Sequence, residues 1–310
     1  MQKFIDLKTG NEFVPRASCV LCLGTFDGVH IGHRALIDEA LKQKAQLSKE
    51  YPDVLGGAWC FSQPPADFLF STPTMHITDL DEKLALFADA GLDIAVVGNF
   101  SELCNLEKDV FVQNVLRDEA HCIRSVCGFN FRFGKGRKGT PEDLEALPLG
   151  NITLDAVTLD GQPVSSSMIR TLIADGNVTN ASKLLGRPYS LSLPVTHGKT
   201  LGRKLGAPTA NQNIPAGTLI PRRGVYVTRA TVNSVSYPAI TNIGVNPTVD
   251  AGEITKAETH ILGFAGDIYG DRVKIEFLDF IRPEKKFSSK DELSRAIAED
   301  ITKAKKYFNI

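Results

Sequence analysis

The stretch SCVLCLGTFDGVHIGH, which runs from Ser18 to His33, decides the fold of the first half of the chain. It begins with an unbroken apolar run, a pattern typical of a strand that is buried on both faces of a parallel sheet. Glycines then recur at every fourth position from Gly24 to Gly32 and indicate a tight turn. Apolar residues at near-helical spacing follow as far as Leu47. The stretch therefore predicts a strand, a turn and a helix, in that order.

The turn in this stretch has the composition of a phosphate-binding site. Glycines between a strand and a helix let the backbone approach an anion, and the start of the helix supplies N–H groups and partial positive charge. His30 and His33 can donate hydrogen bonds to phosphate oxygens as charge builds on them. A zinc site is one alternative, but it needs two more ligands and Asp27 alone is a poor supplement. Structural histidines are the other alternative.

The rest of the first half alternates apolar runs with helical patterns. One helix is predicted to open at Thr78 and to stop at Gly91, and another covers residues 106–119. Strands that are apolar throughout and separated by helices imply a parallel sheet covered on both faces. This half is therefore predicted to be α/β and Rossmann-like. Three further strands are expected at residues 58–61, 94–97 and 123–127.

The second half changes character after Gly186, where glycine, proline and threonine become dense and helical periodicity disappears. Short strand-like runs predict a small barrel or sandwich up to about Arg282. Ser288 or Ser289 can cap a final helix, whose apolar stripe should dock on the barrel. That stripe consists of Leu293, Ile297, Ile301 and Phe308. We therefore expect two domains, residues 1–184 and residues 185–310.

Composition limits the functions open to this chain. The 310 residues include 35 basic and 36 acidic side chains, so a nucleic-acid binder that relies on bulk positive charge is excluded. No apolar run approaches the ~18–20 residues that a membrane helix needs. Charged residues near the N-terminus leave no room for a signal-peptide core, and we predict a cytoplasmic location. Cys19 and Cys22 form a CxxC, but residues three apart on a strand point to opposite faces, which favours small buried side chains over a metal or redox site.

Two later segments complete the pattern of the first half. Residues 128–137 read GFNFRFGKGR, and residues 164–170 read VSSSMIR. The serine hydroxyls and the Arg170 guanidinium are suited to an anion clamp, although isolated serines would be read as a helix N-cap. With the HxGH of the first stretch, these segments resemble the N-terminal module of the prokaryotic bifunctional riboflavin kinase/FMN adenylyltransferase family, called FAD synthetase.

The second half carries its own glycine-rich basic segment. Residues 197–211 read HGKTLGRKLGAPTAN. There is no GxxxxGK(S/T), so this is not a P-loop kinase, and such a loop alone would equally suit a flexible surface turn. The string GRKLGAPTAN nevertheless resembles the riboflavin kinase module that follows the adenylyltransferase module in this family, and the ETHI at 258–261 supports the likeness.

The resemblance implies an α/β Rossmann-like nucleotidyltransferase domain followed by a small β-barrel riboflavin kinase domain with a C-terminal helix. It implies phosphorylation of riboflavin to FMN and adenylylation of FMN to FAD with release of pyrophosphate. ATP and Mg²⁺ would serve both steps, Glu258 would accept the proton of the riboflavin 5′-hydroxyl, and Thr209 and Asn211 would hold the metal. The other expected catalytic residues are His30, His33 and Arg170, and the expected binding residues are Gly24, Phe26, Asp27, Gly32, Asn130, Phe131, Ser166, Ser167, Gly198, Gly202, Lys204, Gly206, Pro208, Thr209 and Asn211.

The ligands implied are riboflavin, FMN, FAD and ATP or ADP, with no nucleic acid and no membrane, in a monomer or weak homo-oligomer. Three departures from the family pattern bear on this reading. The segment FSQPP at residues 61–65 lacks a histidine that is usual in the family. Leu193, followed by Pro194, stands where a glycine is usual, and Gly263 stands where an aspartate is usual. An FMN adenylyltransferase with an impaired kinase module is therefore an alternative. A flavin-binding regulatory protein without catalysis is an alternative of another class.

Overall fold

The structure, a computed structural model, describes residues 2–63, 65, 68, 74–197, 209–248 and 252–310, with only the backbone considered at 246–248 and 252–254. The chain folds as two compact units, Met1–Ser166 and Ser167–Ile310. The predicted boundary at 184–185 falls later along the chain and stays a prediction. Within the described residues, no helix is long and apolar enough to cross a membrane.

The first unit is built on a six-stranded sheet in the order β1-β4-β3-β2-β5-β6. Neighbouring strands from β2 to β6 run parallel, and only β1 pairs antiparallel, with β4. Every residue of β2 and β4 is buried, which confirms the prediction from their unbroken apolar runs. The strands are β1 Lys3–Asp6, β2 Cys19–Leu23, β3 Leu55–Phe61, β4 Ile94–Gly98, β5 Cys122–Gly128 and β6 Asn151–Leu154.

Helices and short turns connect these strands. Those of the first unit are α1 Ile31–Leu47, α2 Leu80–Asp89, α3 Phe100–Leu103 and α4 Lys108–Val110, which continues as a π-helix over Phe111–Glu119. Two 3-10 turns cover Lys135–Arg137 and Pro141–Ala146, and a small hairpin joins β7 Thr158–Leu159 to β8 Gln162–Pro163.

The prediction that Thr78 opens a helix is wrong by one residue. Asp79 caps α2 by accepting the N–H of Glu82 at 2.8 Å, whereas the hydroxyl of Thr78 accepts the N–H of Gly28.

The sheet of the first unit has a hydrophobic core on each face. One contains Trp59, Phe111 and Leu116, and the other contains Phe26 and Phe87.

The two cysteines of the CxxC confirm the expected alternation, since Cys19 lies in the first of these cores and Cys22 in the second. Both are fully buried free thiols, and burial raises the pKa of each. They therefore serve as small core side chains.

The second unit contains a curled antiparallel sheet in the order β10-β13-β12-β11-β14-β9. A backbone bridge between Thr196 and Asn211 brings the two edges of the sheet together, so the sheet curls into a barrel. Its elements are α5 Ser166–Ala174, α6 Val178–Leu185, β9 Tyr189–Pro194, β10 Ala210–Asn213, β11 Gly224–Val232, β12 Val235–Thr248, β13 Gly252–Ile261, β14 Arg272–Pro283 and α7 Lys290–Phe308. The first of these begins with the last residue of the first unit.

Helix α7 docks on the barrel as the sequence predicts. Ser289 caps it and accepts the N–H of Glu292, while Ile301 and Phe308 pack against a buried cluster around Val227. The docking is reinforced by an ion pair between β14 and α7. Arg282 donates from Nε and Nη2 to the carboxylate of Asp300, with Nη2 to Oδ2 at 2.8 Å.

We expect Arg282→Met to destabilise the second unit by about 3–5 kcal/mol, because Asp300 would become a buried carboxylate without its partner. The side chain of Asp300 is only 3% exposed, whereas that of Arg282 is 23% exposed. Urea unfolding followed by circular dichroism measures the loss. The matched control is Arg229→Met, which breaks a more exposed pair with Glu276 and should cost under about 1 kcal/mol. Equal losses for the two variants would contradict this account.

Candidate active sites

The first candidate site lies where the strand order of the parallel sheet reverses. The chain proceeds from β2 to β3 and β4 on one side and then returns to place β5 on the other side of β2. In open α/β sheets, ligands bind outside the carboxyl ends of the strands at this point. Residues 24–30 follow β2 and residues 129–137 follow β5. Both segments that the sequence singled out therefore leave the sheet at the same edge, from adjacent strands.

The two histidines are held as a stacked pair at the start of α1. Their ring centroids are 3.7 Å apart and their planes differ by 14°. His30 caps the helix, and its Nδ1 accepts the backbone N–H of His33 at 3.3 Å. A neutral imidazole that accepts at Nδ1 carries its hydrogen on Nε2, so His30 offers a donor at Nε2. A Cβ on Gly32 would lie 3.1 Å from Cε1 of His30, so this glycine leaves room for the ring.

The turn between β2 and α1 has a strained backbone. Phe26 and Val29 have φ values of 52° and 38°, which side-chain-bearing residues rarely adopt, and Gly28 has a φ of 84°. Phe26 is fully buried, and its ring lies 5.1 Å from that of Phe87 and 5.0 Å from that of His33. Strain of this kind persists only where surrounding contacts enforce it.

Those contacts come from the carboxylate of Asp27 and the hydroxyl of Thr78. Oδ1 of Asp27, a residue only 4% exposed, accepts the N–H groups of Ile77 at 3.0 Å and Thr78 at 3.3 Å. The N–H of Gly28 donates to Oγ1 of Thr78 at 3.0 Å. The hydroxyl of Ser166 donates to the carbonyl oxygen of Asp27 at 2.8 Å. Asp27 and Ser166, both predicted as binding residues, thus also support the turn itself.

A second support of the turn was missed by sequence reasoning. Nζ of Lys83, on α2, donates to the carbonyl oxygen of Thr25 at 2.9 Å, and Lys83 is only 5% exposed. Neither Lys83 nor Thr78 belongs to a recognisable motif. Their long separation in sequence from the turn hides the contact, and the only local signal is a lysine on the otherwise apolar face of a predicted helix.

The segment after β5 presents an exposed tip on a buried base. Asn130 is exposed at the tip, beside Phe129, which is 51% exposed. Phe131 is half-buried and packs against the core, with its ring 5.8 Å from that of buried Phe133. The predicted polar contact, Asn130, is therefore displayed on a base that the two aromatic side chains hold in place.

The predicted anion clamp lies at the start of α5. Ser166 and Arg170 are four residues apart and share one helix face, whereas Ser167 is exposed. Arg170 is half-buried. Of the segment that lacks the family histidine, Pro64 lies outside the described residues. Phe61 packs edge-on against Trp59, with ring centroids 4.7 Å apart.

The second candidate site is a cavity of about 280 Å³ between the barrel and α7. Glu258 of β13, the carboxylate predicted to act there, lines this cavity and pairs in register with Asn211 of β10 and Asn242 of β12. Residues paired in this way point to one face of the sheet. The cavity is lined by Thr209, Val225, Ile240, Asn242, Glu258, His260, Arg282, Glu284, Lys285, Phe287, Leu293, Ile297 and Asp300. It combines apolar side chains with polar and charged ones that could orient a small molecule.

The alternation of side chains along β13 explains which of its residues reach this cavity. Glu258 and His260 face it together, as expected for residues two apart on a regular strand. Thr259 between them points into the barrel, where its hydroxyl bonds to that of Thr241 at 2.9 Å. His260, Asn242 and Arg282 were not among the site residues predicted from the sequence.

The residues expected to hold a metal are also brought to this site. Thr209 lines the cavity, and Asn211 is buried and in register with Glu258. Nδ2 of Asn211 donates to the carbonyl oxygen of Thr209 at 3.2 Å, so its Oδ1 is directed elsewhere. Hydroxyl and amide oxygens are ligands that suit Mg²⁺. The predicted residues Gly198, Gly202, Lys204, Gly206 and Pro208 lie outside the described part of the chain.

The departures in the second half have structural explanations. Leu193 is buried in β9, in register with Val273, and Pro194 follows at the exposed end of that edge strand. Gly263 lies in the turn after β13 with a φ of 74° and open space around it. Aspartate tolerates this left-handed conformation better than most residues, so glycine is a mild replacement there.

Known protein families match the two halves of the chain separately. The model of the FAD synthetase family matches residues 14–168, and that of the riboflavin kinase family matches residues 185–308. A bifunctional riboflavin kinase/FMN adenylyltransferase from Bacillus subtilis is 33% identical over 303 residues, covering 95% of this chain and 94% of the relative. One from Escherichia coli K12 is 34% identical over 305 residues, covering 96% and 95%.

A solved structure covers the same span. The crystal structure of a protein described as a macrolide-efflux protein from Streptococcus pneumoniae matches with a TM-score of 0.82 and 31% identity, covering 96% of each chain. The two family models match in the order expected from the sequence, and the relatives are similar to this chain over nearly their full length. The chain belongs to the bifunctional riboflavin kinase/FMN adenylyltransferase family.

Proposed function

We propose that the chain phosphorylates riboflavin to FMN and then adenylylates FMN to FAD, with ATP as the donor in both reactions. The observation that carries this proposal is the presence of one chemically distinct site in each unit. The first unit presents a stacked histidine pair at the start of α1, and the second presents Glu258 in a half-apolar cavity. A protein that only binds flavin would need neither set of residues in this form.

In the first unit, the FMN phosphate attacks the α-phosphorus of ATP. A phosphorus–oxygen bond to FMN forms as the bond to pyrophosphate breaks, so no enzyme nucleophile is required. His30, through Nε2, and His33 stabilise the charge that grows on the phosphate oxygens. Asn130 contacts nucleotide or flavin, and the role of Arg170 at the phosphates stays a prediction from the family resemblance. The rate then arises from positioning and charge stabilisation.

In the second unit, the 5′-hydroxyl of riboflavin attacks the γ-phosphorus of ATP and ADP leaves. Glu258 accepts the hydroxyl proton, the role that a carboxylate has in other kinases. Thr209 and Asn211 would hold Mg²⁺, which supplies neutralisation of triphosphate charge when bound. Asn242 and His260 flank the carboxylate on the same face and help to orient it. The apolar side chains of the cavity suit contact with a flavin ring; they are Val225, Ile240, Phe287, Leu293 and Ile297.

Kinase activity is expected because the two departures of the second half lie in β9 and in a turn, outside the residues that line the cavity. Adenylyltransferase activity is expected because His30 and His33 are both present at the start of α1. A single-activity adenylyltransferase is thus the weaker alternative. A cytoplasmic location and a monomer or weak homo-oligomer stay predictions from the sequence.

The test of the proposal is a time course in which the pure protein, riboflavin, ATP and Mg²⁺ are sampled by chromatography. Transient FMN followed by FAD is expected. Conversion of added FMN without use of riboflavin would instead support the adenylyltransferase alone, and no conversion of either flavin would support the binding protein.

Replacing either histidine should impair only the first reaction. We expect His33→Ala or His30→Ala to lower the rate of FAD formation from FMN by ~10²–10³-fold, because a donor to the developing charge is lost. Riboflavin phosphorylation by the same preparation should be unchanged. His121→Asn, at an exposed histidine with a φ of 50°, is the matched control and should leave both rates intact. A comparable loss in both reactions would argue against the assignment.

Replacing the carboxylate of the cavity should have the converse effect. We expect Glu258→Gln to slow riboflavin phosphorylation by ~10²–10⁴-fold, since the general base is removed while the shape is kept. FMN adenylylation, assayed separately with FMN and ATP, should persist. The control is Glu276→Gln, which changes a carboxylate of the same barrel that pairs with Arg229 instead of lining the cavity. Retention of full kinase activity in Glu258→Gln would disprove this role.

A further inference from the structure

Lys83 is a buried cation directed at the turn between β2 and α1. Its residue is 5% exposed, and its Nζ lies 2.9 Å from the carbonyl oxygen of Thr25. That carbonyl is the first in the turn after Gly24 and precedes the strained residue Phe26. The ammonium therefore contacts the backbone of the segment that carries the histidine pair.

Within the described residues, the hydrogen bond that Nζ of Lys83 donates goes to this backbone carbonyl and not to a carboxylate. The acid of the turn, Asp27, directs its Oδ1 to the N–H groups of Ile77 and Thr78 instead. Another neighbour of Lys83 is the thiol of Cys60, whose pKa is raised by burial and lowered in part by the lysine charge. A buried charge of this kind is costly unless something compensates it. An anion bound at the turn would supply that compensation.

The contact with Thr25 also sets the direction of the next N–H group. In a planar trans peptide, the carbonyl of one residue and the N–H of the following residue point to opposite sides. Because the Thr25 carbonyl points at Lys83, the N–H of Phe26 points away from it. The backbone hydrogen bonds of the described residues include none donated by this N–H. Lys83 thus holds a backbone donor ready for a ligand in the turn.

We propose that Lys83 is a positioning residue for adenylyl transfer, which aims the Phe26 N–H at the pyrophosphate portion of ATP and supplies a buried positive charge that favours this anion. This inference rests on the proposed function of the first unit. It concerns pyrophosphate because this part of ATP carries most of the negative charge of the triphosphate and is the leaving group of adenylyl transfer.

The test uses the reverse reaction of the full chain, FAD plus pyrophosphate to FMN plus ATP, because it involves the first site alone. Lys83→Met keeps the length of the side chain and removes its charge, so the KM for pyrophosphate should rise about 10-fold or more. The ionic-strength dependence of kcat/KM should also become weaker, as one positive charge is lost. Lys83→Arg should keep most of the wild-type KM, because the charge and a donor remain.

The matched control is Thr78→Val, which removes the acceptor of the Gly28 N–H from the same turn without a change of charge. It is expected to lower the rate while leaving the ionic-strength dependence as in the wild type. Riboflavin phosphorylation by each variant reports that the rest of the chain is folded. If Lys83→Met has the KM and ionic-strength dependence of the wild type, or if Lys83→Arg is as impaired as Lys83→Met, the inference is overturned. If wild type phosphorylates riboflavin but interconverts no FAD, the proposed function of the first unit fails instead, and the inference with it.

Discussion

The first site depends on the buried carboxylate of Asp27. Without its bonds to the N–H groups of Ile77 and Thr78, the positive φ values of Phe26 and Val29 would relax, since each costs about 1–3 kcal/mol. The turn would then no longer deliver His30 to the start of α1, where it caps the helix and stacks on His33. This interaction between two loops therefore helps to fix the turn from which the histidine donors project, and hydrogen bonds to a charged acceptor are strong enough to contribute to this.

In the second unit, a regular strand and not a strained turn positions Glu258. In a barrel strand, alternate side chains face in and out, so Thr259 joins the interior while Glu258 reaches the cavity. Gln212 stabilises the closure of the barrel from inside, because its side-chain amide nitrogen, Nε2, donates to the carbonyl oxygens of Leu193 and Val273. The position of Glu258, the proposed general base, follows from strand register, with no strained backbone needed at that residue.

The sequence was sufficient to predict features that lie within one continuous stretch. It was not sufficient to predict contacts between segments that are distant in sequence. The strand, turn and helix around His30 and His33 could be predicted because one continuous stretch contains every signal. The role of Glu258 came only from the family resemblance, since a lone glutamate on a strand has no distinguishing pattern. Lys83 and Thr78 were missed because the parallel sheet, and not the local sequence, brings α2 against the turn. The assignment of Thr78 as a helix cap shows the same limit, for its hydroxyl has a distant partner.

The departures from the family pattern illustrate how a residue's backbone conformation decides whether a substitution matters. Leu193 is not among the described residues with positive φ, and its side chain is buried in β9, where a larger apolar group adds to the core. A glycine at this position is thus not required by the backbone of this chain. Gly263 does have a positive φ, but a Cβ added there would have no neighbour within 4 Å. The chain can therefore differ from its relatives at both positions while the face that carries Glu258 keeps its register.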